Sequence, residues 1–117
     1  MKINLRYKKK KFKIDAKFCN WFEKFSGLMF VKREKAKALL FGFQKPVRQA
    51  IHSYFVFFPF VAVWLDGKNK IVEVKSVKPF NLFVRPKKDF CKLVEVPINK
   101  KYKTVAELLL SSATRKI

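Results

Sequence analysis

Two hydrophobic periods run along this chain, and the point where one replaces the other predicts its first elements. Residues 12–15 alternate apolar and polar side chains, as expected of a half-buried strand. Beyond them, four aromatic residues recur at the spacing of one helical face, namely Phe18, Trp21, Phe22 and Phe25. This spacing predicts an amphipathic helix over about residues 16–26. Such a stripe is more typical of core packing than of a stacking platform for bases.

The other hydrophobic residues fall into short segments separated by proline, glycine and charged turns. Strands are predicted at residues 38–43, 50–57, 60–65, 70–77 and 90–96. The capping-box spacing of Thr104 and Glu107 predicts a short C-terminal helix that begins there and is completed by residues 108–112. These elements indicate a mainly β fold, either a mainly antiparallel β-sandwich or a partly open barrel, with the helix 16–26 covering one opening.

Length and composition predict how many domains the chain forms. A chain of 117 residues is long enough for one hydrophobic core, and 50% of its residues are hydrophobic, including 14 Phe. We therefore expect a single domain over residues 1–117, in which residues 1–11 form a basic N-terminal strand or arm.

The charge of the chain points to polyanions as partners. The sequence carries 28 Lys and Arg against 8 Asp and Glu, a net charge of +20, which would attract nucleic acid. Most of the basic residues are Lys, whereas Arg is the side chain that binds bases and phosphates in bidentate geometry, so a solvated surface is the competing explanation. The candidate polyanion contacts are Lys8, Lys9, Lys10, Lys11, Lys13, Lys87, Lys88, Lys100, Lys101 and Lys103.

No targeting or membrane segment is visible in the pattern. The N-terminal residues are basic and lack the apolar region of a secretory signal. The longest apolar run, at residues 51–65, is shorter than the roughly 20 residues of a membrane-spanning helix and contains Pro59. We expect a cytoplasmic protein without a transmembrane segment.

The sequence contains no constellation typical of an active site or a metal centre. Cys19 and Cys91 are far apart and belong to no CxxC motif, so two reduced, packed thiols are expected. His52 is the single histidine, the eight carboxylates show no pairing, and the 3 Gly form no phosphate-binding loop. We therefore predict neither cofactor nor metal, and we favour a binding role over catalysis.

Seven sequence blocks occur in an order that is more specific than any one of them. They are GLMF at 27–30, ALLFGF at 38–43, AIHSYFVFFPFVAVWLD at 50–66, IVEV at 71–74, VKPF at 77–80, RPKK at 85–88 and LVEVP at 93–97. Over about residues 16–97 the chain therefore resembles the uncharacterised family named domain of unknown function 192, in its archaeal form. The resemblance implies a small β-rich, jelly-roll-like domain with no cofactor and no reaction attached to it.

Two positions depart from the pattern of that family. Val31 stands where members usually have Arg after GLMF, and Val61 stands where they usually have Asp. Replacing both partners of a buried ion pair by apolar side chains can leave stability unchanged, whereas losing one partner would strand a charge. We therefore predict that Val31 and Val61 are buried neighbours.

One acidic residue is unusual because it lies within an apolar strand. Glu95 is flanked by Val94 and Val96, and the resemblance matches it to a glutamate of the family. Its side chain either takes the polar face of the strand or contributes to a site. A binding or interaction module would hold its ligand in the mouth of the β-structure, near His52, Trp64 and Glu95. The alternative function is that of a nonspecific nucleic-acid-associated basic protein.

Overall fold

A computed structural model describes residues 2–7, 9–19, 28, 31–48, 50–51, 56–80 and 84–114. This part of the chain contains the strands β1 (Lys2–Tyr7), β2 (Lys10–Phe18), β3 (Ala38–Val47), β4 (Phe60–Leu65), β5 (Ile71–Val77) and β6 (Phe90–Pro97), followed by the helix α1 (Lys103–Thr114). A 3-10 turn at Arg33–Lys35 precedes β3. The mainly β class with a C-terminal helix is confirmed.

The six strands form one curved sheet in the order β1-β2-β3-β6-β4-β5. All neighbouring strands are antiparallel except β2 and β3, which run parallel with Ala16 opposite Ala38. The two edge strands approach each other at one end, where the backbone N–H of Arg6 donates to the carbonyl of Asn69 at 3.0 Å. The partly open barrel is therefore confirmed, as a mixed rather than purely antiparallel half-barrel.

One face of the sheet carries the inner core, to which every strand contributes. Representative members are Leu5, Ile14, Leu40, Val63, Ile71 and Val94. Helix α1 covers this face with Ala106 and Leu109, together with Tyr102 just before the helix. Alternation along β2, where Phe12, Ile14 and Ala16 are buried between exposed residues, follows from one strand face packing against this core.

The opposite face carries the outer core, which side chains from loops cover within the described residues. Its strand members include Leu39, Phe41, Phe60, Trp64, Phe90 and Leu93, and its loop members include Leu28, Ala36, Val56, Phe58 and Val84. Because both faces are covered, all of β4 is buried, and its sequence is a continuous apolar run rather than an alternating one.

The helix predicted at 16–26 is wrong at its start, because residues 16–18 complete β2. Ala16 is buried and Lys17 is exposed, so the strand alternation continues through them. Pairing with β3 provides hydrogen-bond partners for this backbone, an advantage that aromatic spacing does not reveal. The rest of the predicted helix, at 20–26, lies outside the described residues.

Two other elements differ from their predicted limits. The strand predicted at 50–57 appears as an isolated bridge between Ile51 and Val84, and its residues 52–55 lie outside the described part of the chain. Helix α1 extends slightly beyond the predicted helix at both ends, and Thr104 lies within it rather than at its N-cap. The side chain of Asn99 accepts a hydrogen bond from the backbone N–H of Tyr102 at 3.1 Å, just before the helix begins.

The prediction that Val31 and Val61 are buried neighbours is wrong. Val61 is fully buried in the inner core, whereas Val31 is partly exposed and packs against the outer core. The sheet lies between the two side chains, so they could not replace a single ion pair.

Candidate functional site

Glu95 lies within the outer core, in the middle of the sheet. On β6 it is opposite Leu39 of β3 and Ala62 of β4, both of which belong to the outer core. Opposite residues in a sheet share a face, so Glu95 points to that side as well. Its exposed fraction is 6%. The side chain of Glu95 therefore does not face water, because loop side chains cover this side of the sheet.

The carboxyl group of Glu95 receives no hydrogen bond or ion pair from the residues that the structure describes. Burial alone raises the pKa of Glu95 to about 8, because the carboxylate would lose its hydration without gaining a partner. At neutral pH the group is mostly a neutral acid, which can donate one hydrogen bond and accept others.

Trp64 places a second polar group on the same face. It follows Ala62 by two positions on β4, so it is a diagonal neighbour of Glu95 across the strand pair. The residue is fully buried, and its indole Nε1 has no hydrogen-bond partner within the described residues. The ring contacts Phe90 edge-on at a centroid distance of 6.4 Å, and the Nζ of Lys75 lies 5.9 Å from the ring centroid.

The third residue of the predicted pocket, His52, lies outside the described residues. Cys19 is buried, Cys91 is partly buried, and no disulfide joins them. Within the described ranges, no group of three His, Cys, Asp or Glu side chains could hold a metal ion. Nor does that part of the chain contain a helix long and apolar enough to cross a membrane.

The solvent face of the β1–β2 hairpin is strongly basic. Its exposed charged side chains are Lys2, Arg6, Lys11, Lys13 and Lys17, with Asp15 as the acidic member. Arg6 is directly opposite Lys11, an arrangement of like charges that destabilises a strand pair. At the other end of the hairpin, Lys2 is directly opposite Asp15, so the like-charge contact is confined to the pair Arg6 and Lys11.

A groove of about 390 Å³ lies between β2 and α1. It is lined by Lys11, Phe12, Lys13, Ile14, Asp15, Lys101, Tyr102, Thr104, Val105 and Leu108. The Nζ of Lys101 is 3.8 Å from the carboxylate of Asp15 and 5.3 Å from the ring centroid of Tyr102. Three of the predicted polyanion contacts, Lys11, Lys13 and Lys101, thus come together here.

The other predicted basic contacts are distributed elsewhere. Lys9 and Lys10 are exposed at the β1–β2 turn, Lys100 is exposed before α1, Lys103 is exposed at its first position, and Lys8 lies outside the described residues. Lys87 and Lys88 are exposed on the loop before β6, where the backbone N–H of Lys87 donates to the carboxylate of Glu73 on β5 at 2.8 Å. The exposed Phe18, Phe57 and Phe80 do not line the groove.

Sequence reasoning missed the groove because its walls are distant in the chain. The alternating lysines of β2 indicated a basic strand, but nothing in the pattern indicated that α1 lies beside it. A usable signal was present at Asn99, since a short polar residue just ahead of a helix is typical of a cap. That signal would have placed the start of α1 near Tyr102.

Comparisons with known proteins identify relatives of the chain. The model of the family described as Uncharacterized ACR, domain of unknown function 192, matches residues 4–109. UPF0127 protein TK1120 from Thermococcus kodakarensis is 31% identical over 80 residues, which are 67% of this chain and 50% of that protein. The chain therefore spans about half the length of this curated relative.

Two crystal structures share the fold. One is a protein of unknown function from Novosphingobium aromaticivorans, with a TM-score of 0.70 and 9% identity, covering 89% of this chain and 76% of the other. The second is a "putative transcription regulator" from Sinorhizobium meliloti, with a TM-score of 0.72 and 13% identity, covering 89% and 84%. At these identities the likeness establishes the fold alone.

Proposed function

Since the chain belongs to the uncharacterised domain of unknown function 192 family, we propose its function from its own geometry: a small binding module whose ligand contacts Trp64 and Glu95. One observation carries this proposal. The buried indole N–H of Trp64 has no partner among the described residues, and the buried Glu95 lies diagonally opposite on the adjacent strand of the same sheet face. The unpaired N–H of Trp64 costs about 1–3 kcal/mol, which a ligand that accepts its hydrogen bond would recover.

The chemistry of the two groups favours a neutral amide as ligand. The indole N–H of Trp64 only donates, whereas the neutral acid of Glu95 both donates and accepts. A primary carboxamide has a carbonyl that accepts and an N–H that donates. The aromatic side chains of Phe60 and Phe90 in the same core favour a compact, partly apolar molecule.

Titration with acetamide, benzamide and nicotinamide, followed by the NMR signal of the Trp64 indole N–H, tests this proposal. We expect a saturable shift with at least one of them, and we expect Glu95→Leu to abolish it because the carboxyl is gone. Glu107→Gln is the matched control, since it removes an exposed carboxylate on α1. Trp64→Phe assigns the signal. Absence of a saturable shift across the panel, or an unchanged shift in Glu95→Leu, would contradict the proposal.

A second candidate is nonspecific association with nucleic acid. The observation that favours it is the basic face of the β1–β2 hairpin, where five exposed basic side chains surround one acidic residue. Such a face would contact phosphates without reading sequence. A cytoplasmic location and the single domain over residues 1–117 stay predictions beside both candidates.

A salt series with labelled duplex DNA and RNA, from about 50 to 200 mM, tests the second candidate. Lys13→Gln/Lys17→Gln should weaken binding at low salt and reduce the slope of log affinity against log salt by roughly 2. Lys87→Gln/Lys88→Gln, which removes equal charge from the loop before β6, should leave the slope closer to that of the parent. Equal effects of both pairs, or no binding at low salt, would remove this candidate.

A further inference from the structure

Part of β2 has an open edge beside helix α1. On one side, β2 pairs with β1 over Lys10 to Asp15. On the other side, its pairing with β3 starts only at Ala16. Within the described residues, no strand therefore lies along residues 11–14 on that second side. The groove occupies this position, and its lining by five consecutive residues of β2 shows that the strand presents its backbone edge to it.

Two hydrogen bonds establish which backbone groups face the groove. The hydroxyl of Tyr102 donates to the carbonyl of Asp15 at 2.8 Å, and the backbone N–H of Cys19 donates to the carbonyl of Leu40 on β3 at 2.9 Å. Odd-numbered residues at this end of β2 thus direct their backbone groups away from β1. Because direction alternates along an antiparallel strand, the N–H and C=O groups of Lys11 and Lys13 point into the groove.

The side chains around this edge define what fits it. Lys11, Lys13 and Lys101 supply positive charge, which outnumbers the one carboxylate of Asp15 beside Lys101, and Phe12, Ile14, Val105 and Leu108 supply apolar surface. The exposed fraction of Leu108 is 51%, which is large for an apolar residue on a helix that otherwise packs on the core. An added strand of about five residues would cover the groove, since five residues extend for about 16 Å.

We propose that an acidic, extended segment of a partner protein adds to β2 in this groove as a further strand. Its backbone pairs with the groups of Lys11 and Lys13. Alternate acidic side chains lie beside these lysines, and the intervening apolar side chains contact Val105 and Leu108. A second copy of this chain is a poorer occupant, because pairing two β2 edges would place Lys11 and Lys13 against their equivalents.

The test uses a labelled, end-blocked peptide of seven residues that alternates Glu with Val or Ile. Two matched peptides have the same sequence with N-methyl groups on alternate backbone nitrogens. One is methylated at the odd-numbered positions and the other at the even-numbered positions. Fluorescence anisotropy with the full chain should show saturable binding of the parent peptide. In one of the two N-methylated peptides, the methyl groups replace the N–H groups that face β2. That peptide should bind about tenfold more weakly or worse, because it loses the backbone hydrogen bonds to β2.

Variants of the chain separate the groove from general charge. Lys11→Gln/Lys13→Gln should weaken peptide binding by about three- to tenfold, and Lys87→Gln/Lys88→Gln by less than about twofold. Leu108→Ser, at an exposed position, should also weaken it. In amide NMR spectra, Lys11 and Lys13 should show the largest shifts. The proposal is overturned if the N-methylated peptides bind as well as the parent, if both lysine pairs have equal effects as expected for polyanion binding, or if no binding is detected at 1 mM.

Discussion

Glu95 keeps a proton in the folded chain that it releases when the chain unfolds at neutral pH. Burial raises its folded pKa to about 8, whereas the ordinary value is 4.5. Between these values the folded state binds more protons than the unfolded state, so the free energy of unfolding decreases as pH rises. The contribution of this group is complete below the ordinary pKa and is lost as pH rises through about 8.

Replacing Glu95 by Gln should remove this dependence, because the amide has nearly the same size and does not titrate. As pH rises from about 5 to 8.5, the free energy of unfolding of the unsubstituted chain should fall. This fall should exceed that of Glu95→Gln by up to about 4 kcal/mol. Urea denaturation at a series of pH values measures the difference. Glu107→Gln, at an exposed carboxyl on α1, should follow the parent. Parallel curves for the parent and Glu95→Gln would show that Glu95 is ionised in the folded state.

The burial of Glu95 could not be predicted from its strand, although its alternation with Val94 and Val96 could. A period of two separates the faces of a strand but does not tell which of them is covered. Loops close the outer face with side chains such as Phe58 and Val84, which are remote from Glu95 in sequence. The local pattern therefore suggested a polar face in contact with water.

At the scale of elements, Asn99 fastens the start of α1 to the turn before β3. Its Nδ2 donates to the carbonyls of Arg33 at 2.7 Å and Ala36 at 3.1 Å, and its Oδ1 accepts from the N–H of Tyr102. The Nε of Arg33 donates in return to the carbonyl of Ile98 at 2.7 Å. These bonds, together with the bond from the Tyr102 hydroxyl to β2, fix the helix over the inner core.

Asn99→Ala should therefore destabilise the fold well beyond the loss of one surface contact. It leaves three backbone groups without their partner, and we expect the free energy of unfolding to fall by about 2–4 kcal/mol. Denaturant unfolding measures this loss. Asn4→Ala is the control, because Asn4 is exposed on β1. A loss below about 0.5 kcal/mol, the range of ordinary surface substitutions, would show that water replaces the side chain without penalty.

The elements that could be predicted are those whose partners are close in sequence. The strands β4 and β5 were predicted at 60–65 and 70–77, and the turn between them is held by the Asp66 carboxylate, which accepts from the backbone N–H groups of Lys68 and Lys70 at 2.8 and 2.9 Å. Burial opposes ionisation there, but these two bonds prevail and lower the pKa of Asp66. No comparable short turn connects β2 to β3, so the sequence did not indicate their parallel pairing. The aromatic spacing therefore led to the prediction of a helix at residues 16–26.

For the whole molecule, three of the acidic residues stabilise the backbone of loops and turns. The carboxylates of Glu34, Asp66 and Glu73 accept hydrogen bonds from backbone N–H groups of loops and turns. The sequence has 28 Lys and Arg but only 8 Asp and Glu. Few acidic groups are therefore left to lie beside the basic hairpin and the groove. The excess of positive charge therefore remains available to an anionic partner, whether it is a polynucleotide or an acidic segment.

The position of β6 in the sheet affects how the chain can be made. It is the last strand in sequence, yet it lies between β3 and β4 and pairs with both. A chain emerging from the ribosome would expose the apolar β3 and β4 with unpaired edges until residues 90–97 appear. Folding therefore cannot proceed strand by strand from the N-terminus. It must wait for a late insertion into the centre of the sheet, which favours slow maturation and protection of the nascent chain by chaperones.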